Sequence, residues 1–188
     1  MLEWDKEVTL LAERLGGLLT EGLGLNSDKL KGTPLLERRA VAGHYYPRCP
    51  EPNKTIGTGA HTDYTMFTIL LQNMVGGLQV ENDGKWTDLK PVHGALVINI
   101  GDLFQILSND KYKSGAHRVY ANPWEKPRVS IATFFSPRFD DENLCGPFDE
   151  LTSPENPALF RQFKVSELIE KFIARKPGSM SLADHFRV

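Results

Sequence analysis

The sequence predicts a mainly β domain with flanking helices, its strands pairing antiparallel in a sandwich or jelly roll. Three observations carry this. Six short runs rich in Val, Ile, Thr and aromatic residues crowd into the middle of the chain, turn residues separate them at intervals too short for crossover helices, and helical periodicity is confined to the two ends.

In chain order, Val8, Leu11, Leu15, Leu18 and Leu19 share one side of a helix at about 3.6 residues per turn, and Gly22 and Gly24 stop it. Asn26 or Ser27 is placed to cap a short second helix through Leu30. Arg38 to Tyr46 reads as extended until Pro47, Pro50 and Pro52 break it. The strand-like runs are Thr65 to Gln72, Leu78 to Glu81, Lys85 to Leu89, Ala95 to Ile100, Ala116 to Ala121 and Arg128 to Phe135. Asn82-Asp83-Gly84 between two of them is a hairpin signal, because Asp and Gly tolerate the positive φ such turns need. Gly76 and Gly77 read as a strand-entry turn, and Asp102 to Leu107 as a single helical turn. Helical spacing returns at Val165 to Lys176. The expected layout is one domain: a helical lead-in over residues 1–36, a jelly-roll core over 37–137 and a C-terminal helical tail over 138–188.

The 188 residues, 40% hydrophobic and 24% charged, suffice for one closed core. A formal charge of -2 without long runs of one sign disfavours nucleic acid as a partner. Two cysteines, Cys49 and Cys145, no secretory leader pattern and no apolar run long enough for a membrane span point to a soluble cytoplasmic protein.

The chemistry concentrates at three places. His61-Thr62-Asp63 puts an imidazole and a carboxylate at i and i+2, which on a strand face one way. With His117, from the run Ala116 to Ala121, as third ligand, two His and one carboxylate make the facial triad that suits non-haem Fe(II) and leaves positions open. An isolated His-x-Asp also serves as a surface pair or a capped turn. Arg128-Val129-Ser130 is a second pair at i and i+2; its guanidinium fork and hydroxyl suit a carboxylate, and on an inner face such an Arg demands an anion, whereas on the outer face it is merely solvated. His93 and His185 have no partner at ligand spacing and read as solvated or capping groups.

His44-Tyr45-Tyr46-Pro47-Arg48-Cys49-Pro50, His61-Thr62-Asp63, Gly76-Gly77-Leu78-Gln79-Val80, Gly94 to Asp102, His117-Arg118-Val119 and Arg128-Val129-Ser130 together resemble, in order and spacing, the plant 2-oxoglutarate and Fe(II)-dependent dioxygenases. The tail, through Ser153-Pro154-Glu155-Asn156-Pro157 and Leu182 to Val188, resembles the 1-aminocyclopropane-1-carboxylate oxidase homologue branch of plant specialised metabolism. The resemblance implies a double-stranded β-helix in which His61, Asp63 and His117 hold Fe(II), Arg128 and Ser130 bind the distal carboxylate of 2-oxoglutarate, and Tyr46 adds a hydrogen bond to that cosubstrate. It implies a small-molecule substrate hydroxylated or O-demethylated with dioxygen, succinate and carbon dioxide as co-products, and ascorbate as an auxiliary reductant. Phe134 matches an aromatic on the substrate side, although a strand also buries a Phe for packing alone. His44 stands where the family commonly has Asn, so its role is open between donor, spectator and stray ligand. Family members carry a long N-terminal part that this chain lacks. The rival readings are an ascorbate-using ethylene-forming oxidase, and a truncated jelly roll that binds without turnover.

Overall fold

The computed structural model describes residues 2–138, 144–176 and 181–188, so parts of the expected tail (139–143 and 177–180) lie outside the described residues. Helix α1 (Leu2–Gly22) forms where the apolar period foretells it, but its buried face is Val8, Ala12, Gly16 and Thr20, with Leu18 exposed. The buried stripe is rotated from the leucines towards small residues because the helix lies close to its neighbours: a Cβ on Gly16 would stand 3.3 Å from Leu30 Cδ1. Thr20, with no apolar surface to match, returns its hydroxyl to the Gly16 and Gly17 carbonyls. Gly24, at φ 78°, closes the helix in the left-handed conformation that a Cβ disfavours.

The expected helix after Asn26 does not form. Asn26 Oδ1 accepts from the Asp28 amide at 2.8 Å, an Asx turn in place of a helical start, and residues 27–32 are turns ending at Gly32 with φ 69°.

The core comprises β1 (Arg38–Tyr46), β2 (Ile56–His61), β3 (Phe67–Gln72), β4 (Leu78–Asn82), β5 (Lys85–Asp88), β6 (Val97–Ile100), a short helix α2 (Asp102–Leu107), β7 (His117–Tyr120) and β8 (Arg128–Ser136). Two four-stranded antiparallel sheets result, in the orders β1-β8-β3-β6 and β2-β7-β4-β5. Leu70 and Ala132 of the first pack with Leu78 and Val119 of the second, so the sheets close on each other as a double-stranded β-helix. Asp83 and Gly84 at φ 51° and 73° make the two-residue turn between β4 and β5.

A larger apolar cluster joins α1, the outer side of the first sheet, α2 and the C-terminal part, through Val8, Phe67, Phe104, Phe135, Phe163, Leu168 and Phe186 among others. That part is not wholly helical. Beside α3 (Val165–Ile173) it contains a two-stranded ribbon, β9 (Leu144–Cys145) with β10 (Phe163–Lys164), and a 3₁₀ segment over Leu182–Phe186. No helix among the described residues is long and apolar enough to cross a membrane.

Candidate metal centre and anion pocket

Strand β2 ends at His61, and its pairing with β7 sets His61 directly opposite His117. Asp63 lies past the end of the strand, so its approach to the two imidazoles comes from the irregular segment at 62–63 that leads into the bend at 64–66 and not from strand alternation. The result is a cluster in which one ligand atom from each of His61, Asp63 and His117 lies within 4.8 Å of the other two. Asp63 Oδ1 is 3.7 Å from His61 Nε2 and 3.8 Å from His117 Nε2.

Neighbouring groups hold each of the three in place. The far nitrogen of each ring, Nδ1, sits 2.8 Å from the Gly59 carbonyl for His61 and 3.1 Å from the Gly115 carbonyl for His117. A carbonyl only accepts, so Nδ1 carries the proton and Nε2 keeps its lone pair for the shared point. Burial, then the neighbouring His117, pushes the His61 pKa down and keeps the ring neutral, the form that ligates. Thr68 Oγ1 donates to Asp63 Oδ2 at 2.6 Å and leaves Oδ1 for the cluster. The irregular segment itself is clamped at Thr62, whose hydroxyl donates to the buried Asp102 at 2.9 Å and whose carbonyl accepts from Arg175 Nη1 at 2.8 Å. Asp102 also accepts from Ser181 and from the Leu182 amide, tying it to the C-terminal 3₁₀ segment. Gly101 is required beside it: a Cβ there would fall 1.9 Å from the Thr65 carbonyl oxygen. Desolvation raises the Asp102 pKa against these hydrogen bonds.

The cavity above the cluster runs between the sheets, and His44, Tyr46, Arg128, Ser130 and Phe134 line it with the three ligating residues. Strand β8 alternates: Arg128, Ser130 and Ala132 are buried while Val129 and Ile131 face outward. Arg128, 1% exposed, donates to Ser130 Oγ at 2.9 Å and to Gln72 Oε1 at 3.1 Å, and lies over the Tyr46 ring with 5.2 Å to the centroid. Its Nε has no partner, and no carboxylate among the described residues pairs with it. Burial pushes its pKa down, because the charged form is taken out of water. Tyr46 shares a hydrogen bond of 2.8 Å with Thr58 Oγ1, and His44, stacked on Tyr46 at 6.2 Å between centroids, is held neutral by burial and by Arg128.

His44, Tyr46, His61, Asp63, His117, Arg128, Ser130 and Phe134, the candidate site residues of the sequence, therefore meet at one cavity. Those the sequence reading did not mark are the supporting groups: Thr68, Gln72, Thr58, Asp102 and Arg175. Thr68 and Gln72 alternate along β3, a signal available in principle, whereas Arg175 reaches Thr62 across 113 positions and announces nothing locally. His93 and His185 are exposed, and Cys49 and Cys145 are unbridged thiols.

This arrangement agrees with a family comparison. The 2OG-Fe(II) oxygenase superfamily matches residues 38–137, just over half of the chain. The chain belongs to that superfamily. It is 44% identical over 192 residues to 1-aminocyclopropane-1-carboxylate oxidase homolog 5 of Arabidopsis thaliana, covering 100% of this chain and 47% of the relative, and 46% identical over 168 residues to homolog 1 from the same plant, covering 89% and 46%. It thus spans about half the length of these curated relatives. Among solved structures, JOX2 in complex with 2OG, Fe and JA superposes with a TM-score of 0.88 at 36% identity, over 99% of this chain and 55% of that one. The dioxygenase for auxin oxidation from rice superposes with a TM-score of 0.84 at 25% identity, over 99% and 62%. The superfamily is named for 2-oxoglutarate and Fe(II), both present in the JOX2 complex, and the donor set here suits both: two imidazoles and a carboxylate for the metal, a buried guanidinium with an idle Nε for an anion.

Proposed function

We propose that the chain is the catalytic part of an Fe(II)- and 2-oxoglutarate-dependent oxygenase that hydroxylates or O-demethylates a small organic metabolite and releases succinate and carbon dioxide. The observation that carries this is the buried guanidinium of Arg128, with no carboxylate partner among the described residues, in the same cavity as the His61–Asp63–His117 cluster. A protein gains nothing from burying that charge unless an anion arrives, and an anion held there lies beside the metal position.

In this reading His61, Asp63 and His117 hold Fe(II), which with its 2-oxo acid supplies the oxidising chemistry by coupling decarboxylation to oxygen transfer. Arg128 grips the distal carboxylate with the fork its strand presents, Ser130 and Tyr46 add hydrogen bonds, and Gln72 fixes the guanidinium plane. The apolar side chains Leu70, Leu78, Val119 and Ala132 keep water from the same space. Phe134 forms the wall towards the substrate. His44, neutral and on the cavity wall, is a hydrogen-bonding neighbour of the cosubstrate and not a ligand.

The deciding experiment is anaerobic titration with Fe(II) and then 2-oxoglutarate, followed by the visible charge-transfer absorption of the chelate and, after admission of oxygen, by succinate. A band that forms only with both partners and yields succinate supports the reading. Ascorbate consumption without succinate would favour the ethylene-forming oxidase instead, and absence of the band would favour a jelly roll that merely binds.

A further inference from the structure

Asp63 opens an irregular segment, and two residues from another part of the chain hold both ends of it. The Asp102 amide donates to the Asp63 carbonyl at 2.7 Å, and the Gly101 amide donates to the Met66 carbonyl at 2.9 Å. The Asp102 side chain reaches one residue further back, where Thr62 Oγ1 donates to its Oδ2 at 2.9 Å. A single residue, fully buried at the start of α2, thus fixes Thr62 by its hydroxyl and Asp63 by its carbonyl.

The same carboxylate takes further donors from far along the chain. Ser181 Oγ donates to Oδ1 at 2.8 Å and the Leu182 amide to Oδ2 at 3.0 Å, so Thr62 and Leu182 meet on one oxygen. The 3₁₀ segment that carries Leu182 has an apolar anchor of its own: Leu182, Ala183 and Phe186 are fully buried, and Phe186 lies against Phe163 with 4.0 Å between ring centroids. A buried carboxylate is costly unless donors satisfy it. Undocking of the segment would strip Asp102 of two donors and open the space beside Thr62 to water.

We propose that Asp102 is a positioning residue of the metal centre, and that through it the docked C-terminal segment Leu182–Phe186 is part of what holds the metal. Asp102 acts through Thr62 and the Asp63 carbonyl, setting the carboxylate ligand that the strand pairing does not deliver. Docking of the segment then favours the bound ion and the ion favours docking. Such coupling is reciprocal: the factor by which undocking weakens the ion is the factor by which the ion resists undocking. The inference rests on the oxygenase reading only in naming the ion as iron.

The test is anaerobic Fe(II) titration of the parent, Thr62→Val, Thr62→Ser, Ser181→Ala and the double variant Thr62→Val with Ser181→Ala, together with hydrogen exchange of the Leu182 amide with and without Fe(II). Thr62→Val should weaken iron about tenfold, the low end for a group supporting a ligand, whereas Thr62→Ser keeps the hydroxyl and should stay close to the parent. Thr62→Val also loses the bond from Arg175 Nη2, so Ser181→Ala, which leaves the Arg175 bonds in place, is the sharper variant and should weaken iron severalfold. The double variant should lose less than the product of the two single losses, because both act through one carboxylate. Iron should slow exchange at Leu182 severalfold in the parent and less in Thr62→Val. His185→Ala, an exposed side chain of the same segment, should move neither reading. Asp102→Asn should give the largest loss of iron; if it does not fold, the Thr62 and Ser181 variants decide. A merely structural Asp102 would lower the Tm of these variants and leave the iron affinity of the folded chain unchanged. That result, exchange at Leu182 indifferent to iron, Thr62→Ser as weak as Thr62→Val, or losses that simply multiply in the double variant would each overturn the proposal. Failure of 2-oxoglutarate to bind or to give succinate would strike the oxygenase reading while leaving this coupling standing, since it needs neither cosubstrate nor turnover.

Discussion

The anion end and the metal end of the central cavity are built in opposite ways. Arg128 and Ser130 sit in the most regular pairing of the molecule, nine consecutive partners between β1 and β8 with no shift of register. His61 and His117 sit in one of the least regular, where β2 and β7 share three register pairs separated by two shifts. At the anion end plain alternation of the strand delivers the side chains, and the neighbours Tyr46 and Gln72 arrive through the same register. At the metal end the pairing delivers the two imidazoles only; the carboxylate is brought in by a segment held from α2, from Arg175 just beyond α3 and from the C-terminal 3₁₀ segment. A regular strand positions a group using its own hydrogen bonds, whereas an irregular junction must borrow them from distant parts of the chain.

Four measurements would break or sharpen that contrast. The largest effect is expected for Asp63→Ala, which should abolish stoichiometric Fe(II) binding, read by metal analysis after desalting; two imidazoles alone hold a labile divalent ion poorly. Retained iron would show that this segment is not part of the centre.

At the other end, Arg128→Lys should weaken 2-oxoglutarate by roughly ten- to a hundredfold, because a point-charge ammonium cannot reproduce two parallel hydrogen bonds, while iron is kept. Equal losses of iron and cosubstrate in an anaerobic titration would mean that the two ends are one unit.

The borrowed support at the metal end is probed by Thr68→Val, which removes the hydroxyl that fixes Asp63 Oδ2 with little change of volume. An iron affinity lowered about tenfold, the low end for a group supporting a ligand, is expected, with 2-oxoglutarate bound to the remaining holoprotein as before.

The smallest effect is a gain. Arg128→Met should make the ligand-free chain more stable by about 1 kcal/mol, since an uncompensated buried charge is replaced by an apolar side chain of similar reach. For a chain of this size that is a rise of roughly 2–4 °C in Tm. A fall in Tm would show that Ser130 and Gln72 already compensate the guanidinium.

The same division separates what could be read along the chain from what could not. The strands β1, β3 to β8 and the turn at Asp83-Gly84 follow from β-branched and aromatic runs with turn chemistry between them, and each was expected within a few residues. Strand β2 was not: Ile56-Gly57-Thr58-Gly59-Ala60-His61 contains two glycines and a single long apolar residue, the composition of a loop. It is a strand because β7 lies against it, so close that a Cβ on Gly57 would come within 2.9 Å of the Val119 carbonyl oxygen. Helix α1 was legible as a helix, but the choice of its buried face was not, because that depends on how near Leu30 and Leu36 approach Gly16.

By itself, the sequence determined the residue types that chemistry needs and, at Arg128 and Ser130, the local spacing that brings two of them to one side. Strand alternation is a property of the backbone and requires no partner. Only the tertiary structure decided that His117 stands opposite His61, that Asp63 reaches both from beyond its strand, and that Arg128 is inside the barrel with no carboxylate among the described residues to meet it. Those facts concern distances between residues tens of positions apart, and they are set by which strands pair, in which register, and by what closes over them.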